Sequence, residues 1–408
     1  MDNDKLIQKL PILNRTFTPS APISTRTLFL GRNEQIMRVM DAVTRPGQHV
    51  VMYGERGVGK TSLANVIHDF FPEDDNIYPV KENCTNRQSF TELWRSVFRQ
   101  MQLHYSTRGS IPQNDEVNAT LLHFIDQDNP VSITPADVRF VLSQFPRERV
   151  LIIFDEFDRI KDEQMISDMV DTIKTLSDYV LPFTLVLVGI GDSVDQLIAE
   201  HASLPRALAQ IYIPRMSVSE LHSILDKGMS QLGMTMVDKV RKNIVELSQG
   251  LPHYTHLLAL DATTNALMEE RMSVSKDDLK VAIKAAIEKA QESTVRTYYK
   301  ATNVPRGVLY PTVLLGCAIA KKDMRGYFSP ADVGIALEKI TGREFHIGSF
   351  ARHLKEFSTV EKGAILTQTG NARRFKYRFT DPMMQPFLLM KGLSEGRLEE
   401  KLIPEANA

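Results

Sequence analysis

A glycine-rich segment constrains this 408-residue chain more than any other feature. It fits the pattern G-x-x-x-x-G-K-[ST], extended by one serine. Its residues are Gly54, Glu55, Arg56, Gly57, Val58, Gly59, Lys60, Thr61 and Ser62. An apolar run, His49–Tyr53, precedes it and predicts a buried strand, and a helix is predicted to begin at Lys60. Because glycines let the backbone wrap closely, successive N–H groups can point at phosphate oxygens. The segment therefore predicts a phosphate-binding turn between a strand and a helix.

The polar side chains that end this segment have separate expected roles. Lys60 is placed to reach the β- and γ-phosphates of a nucleotide, and the Thr61 hydroxyl to hold Mg²⁺. The start of the following helix adds positive potential. A chance glycine turn before a helix is the alternative, but the strand and helix context favours the phosphate site.

An acidic pair follows a second apolar run. Val150–Phe154 predicts a buried strand, and Asp155 and Glu156 come directly after it. This strand is expected to lie beside the strand that precedes the glycine turn, so that Asp155 meets the magnesium through a water molecule. Glu156 is then the candidate general base that polarises the attacking water. A solvated acidic loop is the alternative.

The remaining patterns predict an α/β core followed by helices. Further short apolar runs at Ile77–Val80, Thr184–Val188 and Gln210–Ile213 alternate with helical patterns, which predicts a parallel sheet covered on both faces. From Ser217 the pattern is all-helical, with capping boxes at 217–220 and 275–278. A polar stretch at 104–130 is expected to be an insertion or long loop.

These patterns set predicted domain boundaries. We expect an extended N-terminal arm over 1–24, a core over 25–215, a helical lid over 216–291 and a linker over 292–305. The order helix, helix, helix, hairpin over 306–390 predicts a winged helix-turn-helix, and 391–408 is expected to be a tail.

Composition bounds the class of protein. The net charge of −1 gives no global field toward nucleic acid or membrane, so a basic surface has to be local. The two cysteines, Cys84 and Cys317, have no metal-ligand spacing and are expected to be reduced thiols. With no signal-like start and no long apolar run, we expect a cytoplasmic protein without a membrane partner.

The C-terminal segment carries that local charge. Residues 301–390 hold 13 Lys or Arg and 7 Asp or Glu, a net charge of +6. The candidate contacts to double-stranded DNA are Arg352, Lys355, Arg373, Arg374 and Lys376. Packing of the same module against protein is the alternative.

The two motifs, in their order and spacing, resemble those of the AAA+ P-loop ATPases, most of all the origin-recognition-like and prokaryotic STAND-type groups. The resemblance implies a P-loop parallel sheet with a helical lid, and ATP and Mg²⁺ as cofactors. The segment from Leu28 to Glu34 looks like the family's entry segment near adenine and makes Arg32 a nucleotide-binding candidate. The Gly250-Leu251-Pro252 segment is similar to a STAND-group motif that approaches the base, which implicates Pro252.

The resemblance also implies a role for an arginine between subunits. Arg206 lies where the family often places an arginine finger that reaches a neighbour's γ-phosphate, with Arg215 as the rival. That role implies a homo-oligomer. The fourth strand is expected to end in a sensor residue, for which Asp192 and Ser193 are candidates. Where the family's origin-type members carry a lid arginine, this chain has His253.

Three functions remain open at this point. The first is a DNA-associated ATPase that hydrolyses ATP as a conformational or assembly switch in replication, transposition or mobile-element defence. The second is a STAND-type signalling ATPase whose winged helix binds protein partners. The third is a nucleotide-binding scaffold without meaningful hydrolysis.

Overall fold

The computed structural model describes residues 3–72, 77–107, 115–126, 131–145, 149–191, 206–303, 309–371 and 374–406. It contains two compact units. The sheet unit comprises Ile23–Glu55 and Gly59–Ile213, and the helical unit comprises Met1–Pro22, Arg56–Val58 and Pro214–Ala408.

The strands and helices are numbered in chain order. The strands are β1 His49–Gly54, β2 Tyr78–Asn83, β3 Val150–Asp155, β4 Phe183–Ile190, β5 Leu208–Tyr212, β6 Thr235–Met236, β7 Ser273–Val274, β8 Leu366–Thr369 and β9 Lys376–Phe379. The helices are α1 Asn3–Thr16, α2 Asn33–Thr44, α3 Lys60–Val66, α4 Phe90–Thr107, α5 Asp115–Ile125, α6 Pro135–Ser143, α7 Glu163–Asp178, α8 Val218–Leu232, α9 Asp238–Ser248, α10 Pro252–Met268, α11 Lys276–Glu288, α12 Glu292–Thr302, α13 Leu309–Ile319, α14 Pro330–Thr341, α15 Ile347–Phe357 and α16 Met384–Ser394.

A five-stranded parallel sheet forms the centre of the sheet unit. Its order is β2-β3-β4-β1-β5, and every neighbouring pair is parallel. The predicted α/β class is therefore confirmed. One expectation is wrong: β3 does not lie beside β1, because β4 pairs with both of them. The sequence does not fix the strand order here, because β1, β3 and β4 are all continuous apolar runs. A strand that is buried on both faces can occupy any central position in the sheet.

Aromatic side chains fill the core on the β2 and β3 side of the sheet. Trp94 packs against Phe90 and Phe98 on its own helix, α4, and against Phe154 of β3. All four side chains are buried. The helical spacing of the three residues on α4 places them on one face, and that face fixes α4 against the sheet.

Four of the expected non-helical segments contain helices. The N-terminal arm over 1–24 contains α1, the polar stretch at 104–130 contains the end of α4 and α5, and the linker over 292–305 contains α12. The expected tail at 391–408 continues α16 and then packs, with Leu398 and Ile403 buried. In each described segment, burial of apolar side chains overrides the polar or proline-containing local sequence.

Helix α1 shows this override most clearly. It includes Pro11, which is unfavourable inside a helix. However, Leu13 and Phe17 are fully buried, and the Phe17 ring fits directly over the backbone of Gly228 on α8. The segment is helical because its apolar face is covered by the lid helices.

The lid contains the four helices expected from its sequence, α8 to α11. Ser217 and Ser275 form the predicted capping boxes with Glu220 and Asp278. Farther along, α13, α14 and α15 precede an antiparallel hairpin of β8 and β9, and Phe328 pairs with Tyr377 of β9. Within the part of the chain listed above, no helix is both long and apolar enough to cross a bilayer.

Candidate functional site

The glycine turn has a backbone that its glycines make possible. A Cβ atom on Gly54 would lie 2.3 Å from the carbonyl oxygen of Ile213, closer than real atoms approach. Gly59 has a φ of 97° and forms the N-cap of α3. These two positions therefore require glycine for close approach and for a left-handed backbone.

Lys60 is buried at the start of α3. Its side chain is 8% exposed, and its Nζ atom donates to the carbonyl oxygens of Gly54 at 3.0 Å and Glu55 at 2.8 Å. Burial lowers the pKa of Lys60 to about 8, although the charges of Asp158, Asp155 and Glu55 oppose the shift. An ammonium group is thus held within the turn, with its charge poorly solvated.

Thr61, at the start of α3, and Asp155, at the end of β3, are in contact. The Thr61 hydroxyl donates to Asp155 Oδ1 at 3.3 Å, and the backbone N–H of Glu156 donates to the same oxygen at 2.9 Å. Asp155 is buried at the end of β3. A hydroxyl and a carboxylate side by side are the hard oxygen donors that Mg²⁺ prefers, so this pair fits a magnesium ion shared with nucleotide phosphates.

Glu156 lies just outside that pair in a strained conformation. Its φ of 55° and ψ of 35° are left-handed, which is uncommon for a residue with a side chain. Its carboxylate is half-exposed, and Oε2 lies 2.6 Å from Nη1 of Arg159. The acid is therefore at the surface of the site, and an arginine holds it.

Comparison with known proteins identifies a domain family in this part of the chain. Residues 28–181 match the model of the AAA ATPase domain. These residues form an AAA ATPase domain. No curated protein sequence matches the chain.

Several solved structures are similar to this chain over most of its length. A Walker-type ATPase of Pyrococcus abyssi is 15% identical, with a TM-score of 0.57, over 91% of this chain and 99% of that chain. The ORC1 protein of Aeropyrum pernix in complex with DNA is 13% identical, with a TM-score of 0.47, over 95% of this chain and 98% of that chain. The RuvB Holliday junction branch migration motor of Thermotoga maritima is 15% identical, with a TM-score of 0.44, over 88% of this chain and 95% of that chain. The first of these likenesses shows a P-loop NTPase fold.

The entry segment of the AAA ATPase domain is well packed. Arg32 is buried at the N-cap of α2 with a φ of 62°. Beside it Phe29 packs edge-on against Phe70. The Ser62 hydroxyl accepts the backbone N–H of Ile23 at 3.1 Å, so this side chain fastens the entry of the domain to α3.

Three acidic and basic residues near the site were not singled out from the sequence. Lys81 of β2 forms an ion pair with Asp155. Asp158 accepts the backbone N–H of Ile190 at 2.8 Å, and so joins the end of β4 to the turn after β3. Arg159 pairs with Glu156. The run Asp155 to Arg159 was a visible signal for the last two, but nothing in the sequence of β2 marked Lys81.

The other nucleotide candidates lie in the helical unit. Pro252 is at position N1 of α10, after Leu251 as N-cap. The next residue, His253, approaches the carbonyl oxygen of Pro19 at 2.8 Å through Nδ1, and burial lowers its pKa. This histidine therefore holds the N-terminal segment.

The two candidate finger arginines differ in their surroundings. Arg206 is exposed, two residues before β5. Arg215 is half-buried, and its Nη1 donates to Gln249 O at 3.1 Å and to Gln385 Oε1 at 2.9 Å. Arg206 is thus the more accessible of the two. The sensor candidates Asp192 and Ser193 lie outside the described residues.

The basic residues of the C-terminal segment are mostly exposed. Arg352 and Lys355 lie on the outer face of α15, and Arg374 and Lys376 are exposed at the hairpin. Two of them have acidic partners, since Arg352 pairs with Glu356 at 2.6 Å and Lys376 with Asp323 at 3.0 Å. Arg373 lies outside the described residues.

Proposed function

We propose that the protein binds ATP with Mg²⁺ at the glycine turn and hydrolyses it to ADP and phosphate. The observation that carries this proposal is the meeting of Thr61 and Asp155 at 3.3 Å, beside the buried ammonium of Lys60. Cation, hydroxyl and carboxylate are the groups that a phosphate-binding turn needs for a nucleotide-metal complex. Glu156 adds an acid at the edge of the same group.

Each residue has a distinct task in this proposal. Backbone N–H groups from Gly54 to Ser62 surround the phosphates, and Lys60 leaves the carbonyls of Gly54 and Glu55 to contact phosphate oxygens. Thr61 and Asp155 would hold Mg²⁺, which supplies neutralisation of phosphate charge when bound. Glu156 accepts a proton from the attacking water as general base.

The first experiment separates binding from chemistry. Lys60→Ala should abolish binding of a fluorescent ATP analogue, because the turn loses its cation. Glu156→Gln should keep binding and slow phosphate release by at least about a hundredfold, the range of general-base catalysis. Lys174→Ala, an exposed lysine on α7, serves as the control. Unchanged nucleotide affinity in the Lys60 variant would overturn the proposal.

Arg206 is proposed to complete the site of a second copy of the chain. Its exposure just before β5 supports this, since a finger has to leave its own subunit. Arg206→Ala and Glu156→Gln should each be slow alone. Mixed in equal amounts they should regain a fraction of wild-type turnover, because some mixed interfaces pair an intact base with an intact arginine. No recovery on mixing would contradict a role between subunits.

The C-terminal segment is proposed to be a winged helix that contacts duplex DNA. Three helices followed by a hairpin, with Phe328 paired to Tyr377, support the fold. The exposed Arg352 and Lys355 on α15 support contact with a groove or its phosphates. Nucleotide state would then bias the position of this segment as a switch.

Salt dependence tests the DNA contact. Reversing Arg352, Lys355, Arg374 and Lys376 to Glu should weaken duplex binding and reduce the slope of log affinity against log salt by up to about four. The single reversal Lys284→Glu, on an exposed face of α11, is the control for charge. An unchanged slope would show that these side chains do not contact DNA phosphates.

A protein partner is the second candidate for the same segment. Four exposed apolar side chains favour it: Met324 at 85%, Val360 at 75%, Ile335 at 55% and Ile347 at 46%. The ion pairs of Arg352 and Lys376 also reduce the free positive charge. Hydrolysis that ignores duplex DNA, together with an unchanged salt slope, would favour a STAND-type signalling ATPase.

A further inference from the structure

Lys81 enters the site from the strand at the edge of the sheet. It lies on β2, whose neighbour is β3, and its Nζ atom is 2.9 Å from Asp155 Oδ2. The other oxygen, Oδ1, faces the Thr61 hydroxyl and the Glu156 N–H. The carboxylate is therefore divided: one oxygen faces the metal-binding hydroxyl, and the other faces an ammonium group.

This ion pair is shielded from water on the acidic side. The Asp155 side chain is 3% exposed, whereas that of Lys81 is 28% exposed. A buried carboxylate needs a positive partner, and the attraction is stronger here than at the surface. Both Lys81 and a divalent ion at Thr61 would satisfy that need, so the two cations draw on the same negative charge.

A second acceptor fixes the ammonium group. Lys81 Nζ also donates to Asn65 Oδ1 at 2.5 Å. The Asn65 amide is oriented by its own nitrogen, which donates to Ile23 O at 3.3 Å. The Lys81 ammonium group therefore contacts one acceptor on α3 and one on β3. The Asn65 amide oxygen competes with the Asp155 carboxylate for its hydrogen bonds.

We propose that Lys81 is a positioning residue that sets the metal affinity of the site by neutralising Asp155. It touches neither nucleotide nor metal and acts through the carboxylate alone. Its charge keeps the site ordered without metal and lowers the affinity for Mg²⁺. This inference rests on the proposed function, because it assumes that Asp155 serves a nucleotide-bound metal.

The decisive experiment measures metal binding directly. Mn²⁺ affinity is followed by electron paramagnetic resonance of the full-length protein in the presence of ADP. Lys81→Met should bind Mn²⁺ roughly tenfold more tightly than the parent, because one positive charge near the ion is removed. Lys81→Arg keeps the charge and should retain parental affinity. Unchanged or weaker binding in Lys81→Met would overturn the inference.

Thermal unfolding gives a second readout that a purely structural lysine would not produce. Lys81→Met should unfold at a lower temperature than the parent in EDTA, and Mn²⁺ with ADP should restore more stability to the variant than to the parent. Equal restoration in both proteins would contradict a competition between the two cations.

Asn65→Leu provides a variant with the opposite expected sign. Lys81 then loses the Asn65 acceptor and keeps only Asp155 of these two partners. Its ion pair with Asp155 is strengthened, so Mn²⁺ binding should weaken by roughly two- to threefold. This variant decides the question if Lys81→Met does not fold, and tighter or unchanged binding would count against the inference. Failure of the parent itself to bind Mn²⁺ with ADP, or an Asp155→Ala variant that binds it equally well, would instead overturn the proposed function.

Discussion

At the scale of single residues, the role proposed for Lys60 would make nucleotide binding depend on pH. Burial lowers its pKa to about 8, so the ammonium form is complete below that value and is lost as pH rises through it. Phosphate binding needs the charged form. We expect ATP affinity to be flat below about pH 7 and to fall toward tenfold per unit well above pH 8.

The measurement is a series of nucleotide titrations from about pH 7 to about pH 9.5. Lys60→Arg is the control, because arginine stays protonated across this range. Its affinity is expected to be lower than that of the parent but independent of pH. A parental profile as flat as that of the arginine variant would show that Lys60 is not the titrating group.

Gly54 gives a second test at this scale. A methyl group there meets the Ile213 carbonyl at 2.3 Å, and neither partner is a flexible side chain. Gly54→Ala should therefore lower the free energy of unfolding by about 1–3 kcal/mol and displace the turn. Gly348→Ala is the matched control, since Gly348 lies in α15 with open space at its Cβ position. If urea unfolding shows the same loss of unfolding free energy in both variants, the close approach at Gly54 is contradicted.

The proximity of the candidate site residues was predictable where chemistry forces a residue type, and less so elsewhere. Lys60, Thr61 and Asp155 follow from what a phosphate and a metal require, and the structure brings them together. Lys81 was not predictable, because its role depends on which strand lies next to β3. Strand order is a property of the whole sheet, and no local pattern encodes it.

At the scale of elements, the strongest local signals worked best. The capping boxes at Ser217 and Ser275 were found where they were expected, because a cap depends on four consecutive residues. The predictions of non-helical structure that rested on proline or polar content were wrong. Helices α1 and α12 depend on contacts with distant residues, and those contacts cannot be read from a short window.

Helix α1 can be tested through its anchor. Phe17 is buried against Gly228 and packs edge-on with His256. Phe17→Ala should reduce stability of the helical unit by about 3 kcal/mol, the usual cost of removing a buried aromatic ring. Ile12→Ala, whose side chain is 45% exposed on the same helix, should cost far less. Equal effects, measured by urea unfolding, would mean that α1 is not held by this contact.

At the scale of the whole molecule, two buried histidines predict sensitivity to acid. Burial lowers the pKa of His49 in the sheet unit and of His256 in the helical unit to about 4, from 6.5. Each unfolded unit then binds more protons than the folded one between these values. Stability is therefore complete above pH 6.5 and falls as pH decreases toward 4, by about 3 kcal/mol per histidine.

Urea unfolding at about pH 4.5 and pH 7.5 measures this loss. His49→Asn keeps an acceptor for the Leu185 N–H, which donates to His49 Nδ1 at 3.0 Å, but cannot be protonated. Carboxylates titrate equally in both proteins, so the difference between them isolates the histidine. A variant as acid-sensitive as the parent would assign the loss to other groups.

The division of the chain into units has a consequence for its biosynthesis. The helix Asn3–Thr16 packs with Gly228 and its neighbours, so more than 200 residues emerge from the ribosome before its partner exists. The intervening sheet unit has its own core and is free to fold in that interval. One proteolytic cut near residue 214 would therefore not yield two whole pieces, because the later fragment would lack the segment that covers its lid. Separating the units cleanly would require a permuted gene in which that segment is joined to the other end.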